Sequence, residues 1–457
     1  MRQLLQRVKT LSVFALPISI TGVVNILTNF IAMVFIAGLG MEQVAAATLA
    51  TSTYITIFVT ATSVLYSISI LIGYSFVDAQ EKAAEEIGEL FRSSLWVSLF
   101  LAIPTSLLLW FGSDLLLFFG QKKSLAQLTT VYFHFAAFSV LPSLIAMSIA
   151  QFYIGIGRPR FGLFSSLLRL PFAVFFSYAF IRGHFGFPKL DIGGMTCANL
   201  IVQILYCISI LIFMRFSTKL QQYQLFSHGL RFNRKVIQNI LFIGVPIGIQ
   251  FGGELLVMTI MTYLMSYFGT VPLAASQVVS QFGLVSIMMI LGITQAGSVL
   301  VSGAHRQNNT GLIKQYSQAT QIIILFFFLF VSWLFYFFHD VFLNLFFDVS
   351  LPENQLFKHY TLVFFVIMLL TMYFDAIRNA FSAVLRGMHD SKTPMHIGLI
   401  CLWLVSLPCA YFVAFVLKFG AVGLQAGFIS GFLLANFLLL YRINRKIPKN
   451  NFDSSER

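Results

Sequence analysis

The chain has 457 residues, of which 58% are hydrophobic, 16% aromatic and only 10% charged, with a net charge of +13. A soluble globular domain carries about 25% charged residues, so this composition excludes a soluble fold and points to a helical protein that crosses a membrane many times. Nucleic-acid binding is excluded as the reason for the positive charge, because Lys and Arg collect in the loops between apolar runs, as the positive-inside rule requires.

In chain order, Arg2, Arg7 and Lys9 precede an apolar run that continues to Gly40 without a small-x-small cleavage site. That run is a first membrane helix rather than a signal peptide. Hydropathy predicts twelve spans, at 11–37, 46–76, 93–119, 127–155, 162–182, 194–215, 236–268, 273–302, 319–347, 358–386, 395–417 and 421–443. Many exceed the ~20 residues a crossing needs, which implies tilted or bent helices. Basic residues concentrate in the N-terminus, the loops after the even spans and the C-terminal tail. The opposite loops hold only Lys122, Lys123, Arg182, Lys189, Lys358 and Lys418. Both termini are therefore expected in the cytoplasm of a bacterial-type plasma (inner) membrane. The acidic loop Asp78–Glu89 departs from the trend, but acidic residues count little in that rule. A longer loop, Asp348–Lys358, is expected on the other side. Cys197, Cys207, Cys401 and Cys409 lie inside apolar helices with no metal-ligand spacing and read as small buried hydrophobes.

An internal repeat organises these spans. Leu16-Pro17-Ile18 aligns with Val245-Pro246-Ile247, and the same offset places Gly40 on Gly269 and Ala45-Ala46 on Ala274-Ala275. Pro171 pairs with Pro408 at a slightly longer offset, consistent with an insertion around Phe187–Gly194. The predicted fold is an all-α polytopic membrane protein of two pseudo-symmetric six-helix lobes. The lobes are 1–216 and 236–444, joined by a basic cytoplasmic linker 217–235 and followed by a cytoplasmic tail 445–457. An even number of helices per half gives both halves one orientation, related by an axis along the membrane normal. Pro17 and Pro246 each remove a backbone donor within the first helix of their half and serve either as packing kinks or as hinges.

Two carboxylates, Glu254 and Asp375, fall near the centres of hydrophobic spans, where a charge costs roughly 2.5–3.5 kcal/mol on insertion scales. Gln250 lies one turn from Glu254, with Gly252 and Gly253 between them. Thr371, Asp375, Arg378, Asn379 and Ser382 form a polar stripe on one helix face. Such groups offer a proton-exchanging carboxylate pair or an oxygen-rich site for Na+, with Glu254, Asp375, Gln250 and Thr371 as ligands. Arg378 is the alternative partner for Asp375, making a neutral pair, whereas Glu254 has no cation nearby in sequence. Asn25, Asn29, Asn199, Gln203, Gln277, Gln281 and Asn379 are the polar residues expected to line a cavity. Met258, Met261, Met265, Met288 and Met289, with Tyr263, Tyr267 and Tyr373, read as core packing or as a pliable apolar wall. His134 reads as packing.

The Leu16-Pro17 and Val245-Pro246 openings of the two halves, Ala37-Gly38-Leu39-Gly40 followed by Ala45-Ala46-Ala47, Glu254, and Asp375 leading into Leu385-Arg386-Gly387 and Asp390 together resemble the multidrug and toxic compound extrusion (MATE) family, in its NorM-type branch. The resemblance covers nearly the whole chain. It implies a V-shaped alternating-access transporter that exports organic cations or toxic compounds against inward Na+ or H+. The coupling ion would bind at Glu254 and Asp375, with no other cofactor. Its partners would be a cationic or amphipathic small molecule and the lipid bilayer, and the chain would act as a monomer. Many members carry an aspartate where this sequence has Met33, so coupling is expected in the second lobe. The alternative is a related branch of the superfamily that flips lipid-linked saccharides through a cationic cavity. Two intramembrane acids and one arginine favour cationic cargo. An intramembrane hydrolase is disfavoured, because neither acid has a Gly-x-Gly-Asp-like setting and no Ser/His pair or His cluster accompanies them.

Overall fold

The computed structural model describes residues 2–77, 81–226, 229, 231–344 and 355–447. Residues 348–354 of the expected loop Asp348–Lys358 and the tail beyond 447 lie outside the described residues. Twelve helices are long and apolar enough to cross a membrane, and no strand occurs among the described residues. They are α1 (Arg2–Ala37), α2 (Met41–Ser75), α3 (Lys82–Trp110), α4 (Lys123–Gly155), α5 (Arg160–Arg182), α6 (Gly193–Phe216), α7 (Arg234–Ser266), α8 (Thr270–Arg306), α9 (Thr310–Phe338), α10 (Gln355–Gly387), α11 (Lys392–Val416) and α12 (Gly420–Lys446). Each predicted span has its helix, and every helix begins before its predicted start.

The internal repeat is visible in the backbone. Gly40 and Gly269 both take positive φ, 117° and 97°, between the first and second helices of each half. Their carbonyls then accept the first bond of the next helix, from Val44 and Leu273. A side chain disfavours that conformation, which is why glycine stands at both positions.

The compact units do not coincide with the two halves of the sequence. One comprises Met1–Ser19 with Gly253–Arg457, and the other Ile20–Gly252. In the first unit, Leu11 and Ala15 of α1 join a core with Ile290 and Ile293 of α8 and Ala376 and Ala380 of α10. Ser19 donates to the Met289 carbonyl at 3.0 Å, and a side chain at Gly292 would collide with the Ser19 backbone. In the second unit, Ile243 and Ile247 of α7 pack against Ile70 of α2. Gly244, Gly248 and Gly252, one turn apart on α7, receive the Val64 carbonyl, the Thr60 carbonyl and the Thr60 side chain. Small residues at this spacing let two helix backbones approach closely, where dispersion replaces the missing hydrophobic drive. The opening segments of α1 and α7 are therefore each held by the other half's helices. Both helices run unbroken through Pro17 and Pro246.

In α11, two wide π-helical turns, Leu402–Ser406 and Phe412–Val416, flank the segment that contains Pro408. Pro408 has no backbone N–H to give to that ladder, and the Ser406 hydroxyl donates across to the Phe428 carbonyl of α12 at 2.8 Å. None of the four cysteines is bridged. Cys207 donates to the Pro142 carbonyl at 3.1 Å, and His134 stacks on Trp110 with ring centroids 4.1 Å apart.

Candidate functional site

Within the unit of Met1–Ser19 and Gly253–Arg457, α7 supplies Glu254 and α10 supplies Asp375, Arg378 and Asn379. The three- and four-residue spacing on α10 puts its side chains on one face. Arg378 donates from Nε and Nη2 to Asp375 Oδ1, at 2.9 and 2.7 Å, and from Nη1 to Glu254 Oε1 at 2.7 Å. Asn379 Nδ2 donates to Asp375 Oδ2 at 3.2 Å and to the Asp375 carbonyl at 3.1 Å. The planar guanidinium suits this task because its fork addresses two acceptors in fixed directions, which a lysine could not do. The Phe432 ring of α12 lies 5.7 Å from the guanidinium carbon.

Exposure orders the cluster. The Arg378 side chain is 1% exposed, whereas Glu254 is 17% and Asp375 27% exposed. The guanidinium is sealed and the carboxylates face outward from it. Two carboxylates against one guanidinium leave one formal negative charge when all are ionised.

Arg378 does pair with Asp375, as the alternative reading allowed, but the pair is not self-contained, and Glu254, which has no cation nearby in sequence, has one in space. Arg378 serves both acids. Its second partner is 124 residues away in sequence, so spacing alone could not reveal it. Thr371 donates to the Ile367 carbonyl of its own helix at 2.8 Å. Gln250 is buried and belongs to the unit Ile20–Gly252. Asn25, Asn29, Gln277 and Gln281 are exposed, and Asn199 and Gln203 are half-buried. The Met33 side chain packs against the apolar core of its unit. Among the described residues no group of three or more His, Cys, Asp or Glu could hold a metal ion.

Sequence reasoning missed two residues. Asn436 of α12 donates to the Phe374 carbonyl at 2.8 Å and so braces the backbone beside Asp375. Arg169 of α5 is a second intramembrane guanidinium, so the intramembrane set is two acids and two arginines rather than one. Its signal was present, since position 169 falls inside the predicted span 162–182.

The profile of the MatE family matches residues 17–179 and 246–412, one match in each half of the repeat. Over 418 residues, spanning 91% of this chain and 89% of the relative, the sequence is 29% identical to a probable multidrug resistance protein NorM of Rhizobium meliloti (strain 1021). In fold, the chain is similar to an outward-facing multidrug resistance MATE family transporter of the MOP superfamily, with a TM-score of 0.86, 17% identity and 97% of each chain covered. It is also similar to a MOP superfamily transporter from Pyrococcus furiosus described as having a binding pocket of reverse polarity, with a TM-score of 0.81, 17% identity and 96% of each chain covered.

Proposed function

The chain belongs to the MatE family, and from that premise we propose that it is a secondary multidrug efflux transporter driven by proton entry through Glu254 and Asp375. The observation that carries this reading is that two carboxylates, Glu254 and Asp375, share the one Arg378 guanidinium. Protonating either carboxylate neutralises the cluster. An organic cation bound nearby would neutralise it equally, so proton and substrate compete for one negative charge, and competition is what antiport requires. Binding a proton also loosens one arm of Arg378, which lets the cluster respond to occupancy by regripping the remaining acid.

The donor set supports a proton over Na+. A hard cation seeks several oxygen ligands at once. Here Arg378 occupies Glu254 Oε1 and Asp375 Oδ1, and Asn379 donates to Asp375 Oδ2. A sodium ion at these oxygens would face the guanidinium directly. In this reading the protein sits as a monomer in the inner membrane, with both termini cytoplasmic and no cofactor beyond the coupling proton. Its substrates are organic cations and amphipathic toxic compounds.

The test is efflux of a fluorescent organic cation from cells carrying Glu254→Gln or Asp375→Asn. Each variant is expected to reach the membrane in normal amount and to lose coupled efflux. Normal pumping by both variants would refute the proposal.

A further inference from the structure

The second intramembrane guanidinium differs from the first in having no acid partner among the described residues. The helix α5 is 23 residues long, close to the minimum for a crossing. Arg169 lies about 13 Å along it from Arg160, deep in the span. Phe164, Leu168 and Phe175 are exposed and line one side of α5. By the 3.6-residue period, Arg169 lies on the other side, together with the buried Ser165, Ser166 and Ser177. The arginine therefore points into its own unit, Ile20–Gly252, rather than outward.

All of its contacts there are neutral. Nη1 donates to Gln203 Oε1 of α6 at 3.0 Å, Nε donates to the Ser165 carbonyl at 3.3 Å, and the Tyr206 ring lies 4.3 Å from the guanidinium carbon. Among the described residues it has no carboxylate partner, and its remaining N–H donors have no acceptor. An intramembrane charge left in this state is costly and marks a functional site by default. A buried ion pair would have cancelled it, as Arg378 is cancelled elsewhere in the molecule.

We infer that Arg169, with Gln203 and Tyr206, is an anion-recognition site that grips an oxyanion group on the transported molecule. Gln203 holds one arm of the fork, so the other presents its donors to a carboxylate or phosphate. The tyrosine ring offers a flat apolar face to the body of an amphiphile. The inference rests on the transport reading above and narrows its substrates to molecules that carry a negative group, zwitterions in the first place. Two sources share this chemistry: the carboxylate of an amphipathic small molecule and the phosphate of a lipid-linked saccharide.

Ligand binding to the purified full-length chain separates the outcomes. The probes are a fluorescent aromatic zwitterion with a free carboxylate, its methyl ester, and a short-chain isoprenyl phosphate, each offered to wild type, Arg169→Gln and Arg169→Lys. Wild type is expected to prefer the carboxylate to the ester. In Arg169→Gln that preference falls by about tenfold or more, and Arg169→Lys, which keeps the charge and loses the fork, falls in between. If only the isoprenyl phosphate binds in an Arg169-dependent way, the anion site stands and the multidrug reading of the protein falls. The inference is overturned if wild type binds no anionic probe, or if the carboxylate preference and phosphate binding are the same in wild type and Arg169→Gln.

Discussion

Arg378 and Arg169 are the same side chain in the same solvent, and the molecule treats them oppositely. Arg378 is 1% exposed and bonds two carboxylates, whereas Arg169 is half-buried and bonds a carbonyl and an amide. Counted over the named side chains alone and with all of them ionised, Arg378 and its two acids sum to one negative charge, and Arg169 with its neutral partners to one positive charge. In a low-dielectric interior an arginine can serve as the fixed counter-charge that lets two acids coexist, or as the working charge itself. The difference lies entirely in what faces it.

The comparison breaks most visibly if the guanidinium of Arg378 is removed. Arg378→Met leaves two close carboxylates without their shared donor, and breaking a buried charge pair in this way costs about 3–5 kcal/mol. A thermal-unfolding scan of the purified variant should show that loss. Adding Glu254→Gln and Asp375→Asn to the same chain should restore most of it, since a neutral cluster leaves no stranded charge. If Arg378→Met unfolds like wild type, the two acids are not held by this residue.

Arg169→Met should behave differently in the same assay. Its partners are neutral, and the Ser165 carbonyl keeps its place in the α5 helix, so the change should stay within about 1 kcal/mol of wild type. A loss as large as that of Arg378→Met would make Arg169 a structural pillar and erase the distinction between the two sites.

A third charge cluster calibrates the scale. Asp390, between α10 and α11, accepts from Arg442 Nε and Nη2 at 3.2 and 2.9 Å and from the Thr393 backbone at 3.3 Å, with Lys446 Nζ at 3.5 Å. Burial alone would raise its carboxyl, but bonds from Thr393 and Arg442 and the charge of Lys446 outweigh it and hold the group below its ordinary value of 3.8. The sign follows from that depression. Its stabilisation is fully present above 3.8 and is lost as pH falls through the lower folded value. Arg442 is 45% exposed, so Asp390→Asn should cost no more than about 1 kcal/mol. Unfolding scans from neutral pH downward should show the wild type and Asp390→Asn converging at the acid end.

Much of this molecule was legible in its sequence. Run lengths of apolar residues located all twelve helices, because lipid obliges each crossing to satisfy its own backbone. The pairing of Gly40 with Gly269 was legible for a different reason, since positive φ at the corner admits few residues other than glycine. Glu254 and Asp375 stood out by their cost. The shared grip of Arg378 was not legible, because it joins α7 to α10 through tertiary packing with no trace in local spacing. Nor was the exchange of the opening segments of α1 and α7 between the halves. Leu11, Ala15, Ile243 and Ile247 read as ordinary apolar positions, and only the backbone shows which core each one enters. Arg169 was legible as a basic residue inside a span, but its neutral partners Gln203 and the Ser165 carbonyl are set by packing that local spacing does not record.

The most direct measurement is dye movement in proteoliposomes that hold the purified chain and a fluorescent organic cation, driven by one gradient at a time. A pH gradient in sodium-free buffer should drive dye transport, a sodium gradient at equal pH should not, and Asp375→Asn should be silent under both. Transport driven by the sodium gradient alone, or undiminished pH-driven transport in Asp375→Asn, would contradict the assignment of the Glu254–Arg378–Asp375 cluster as the proton-coupling site.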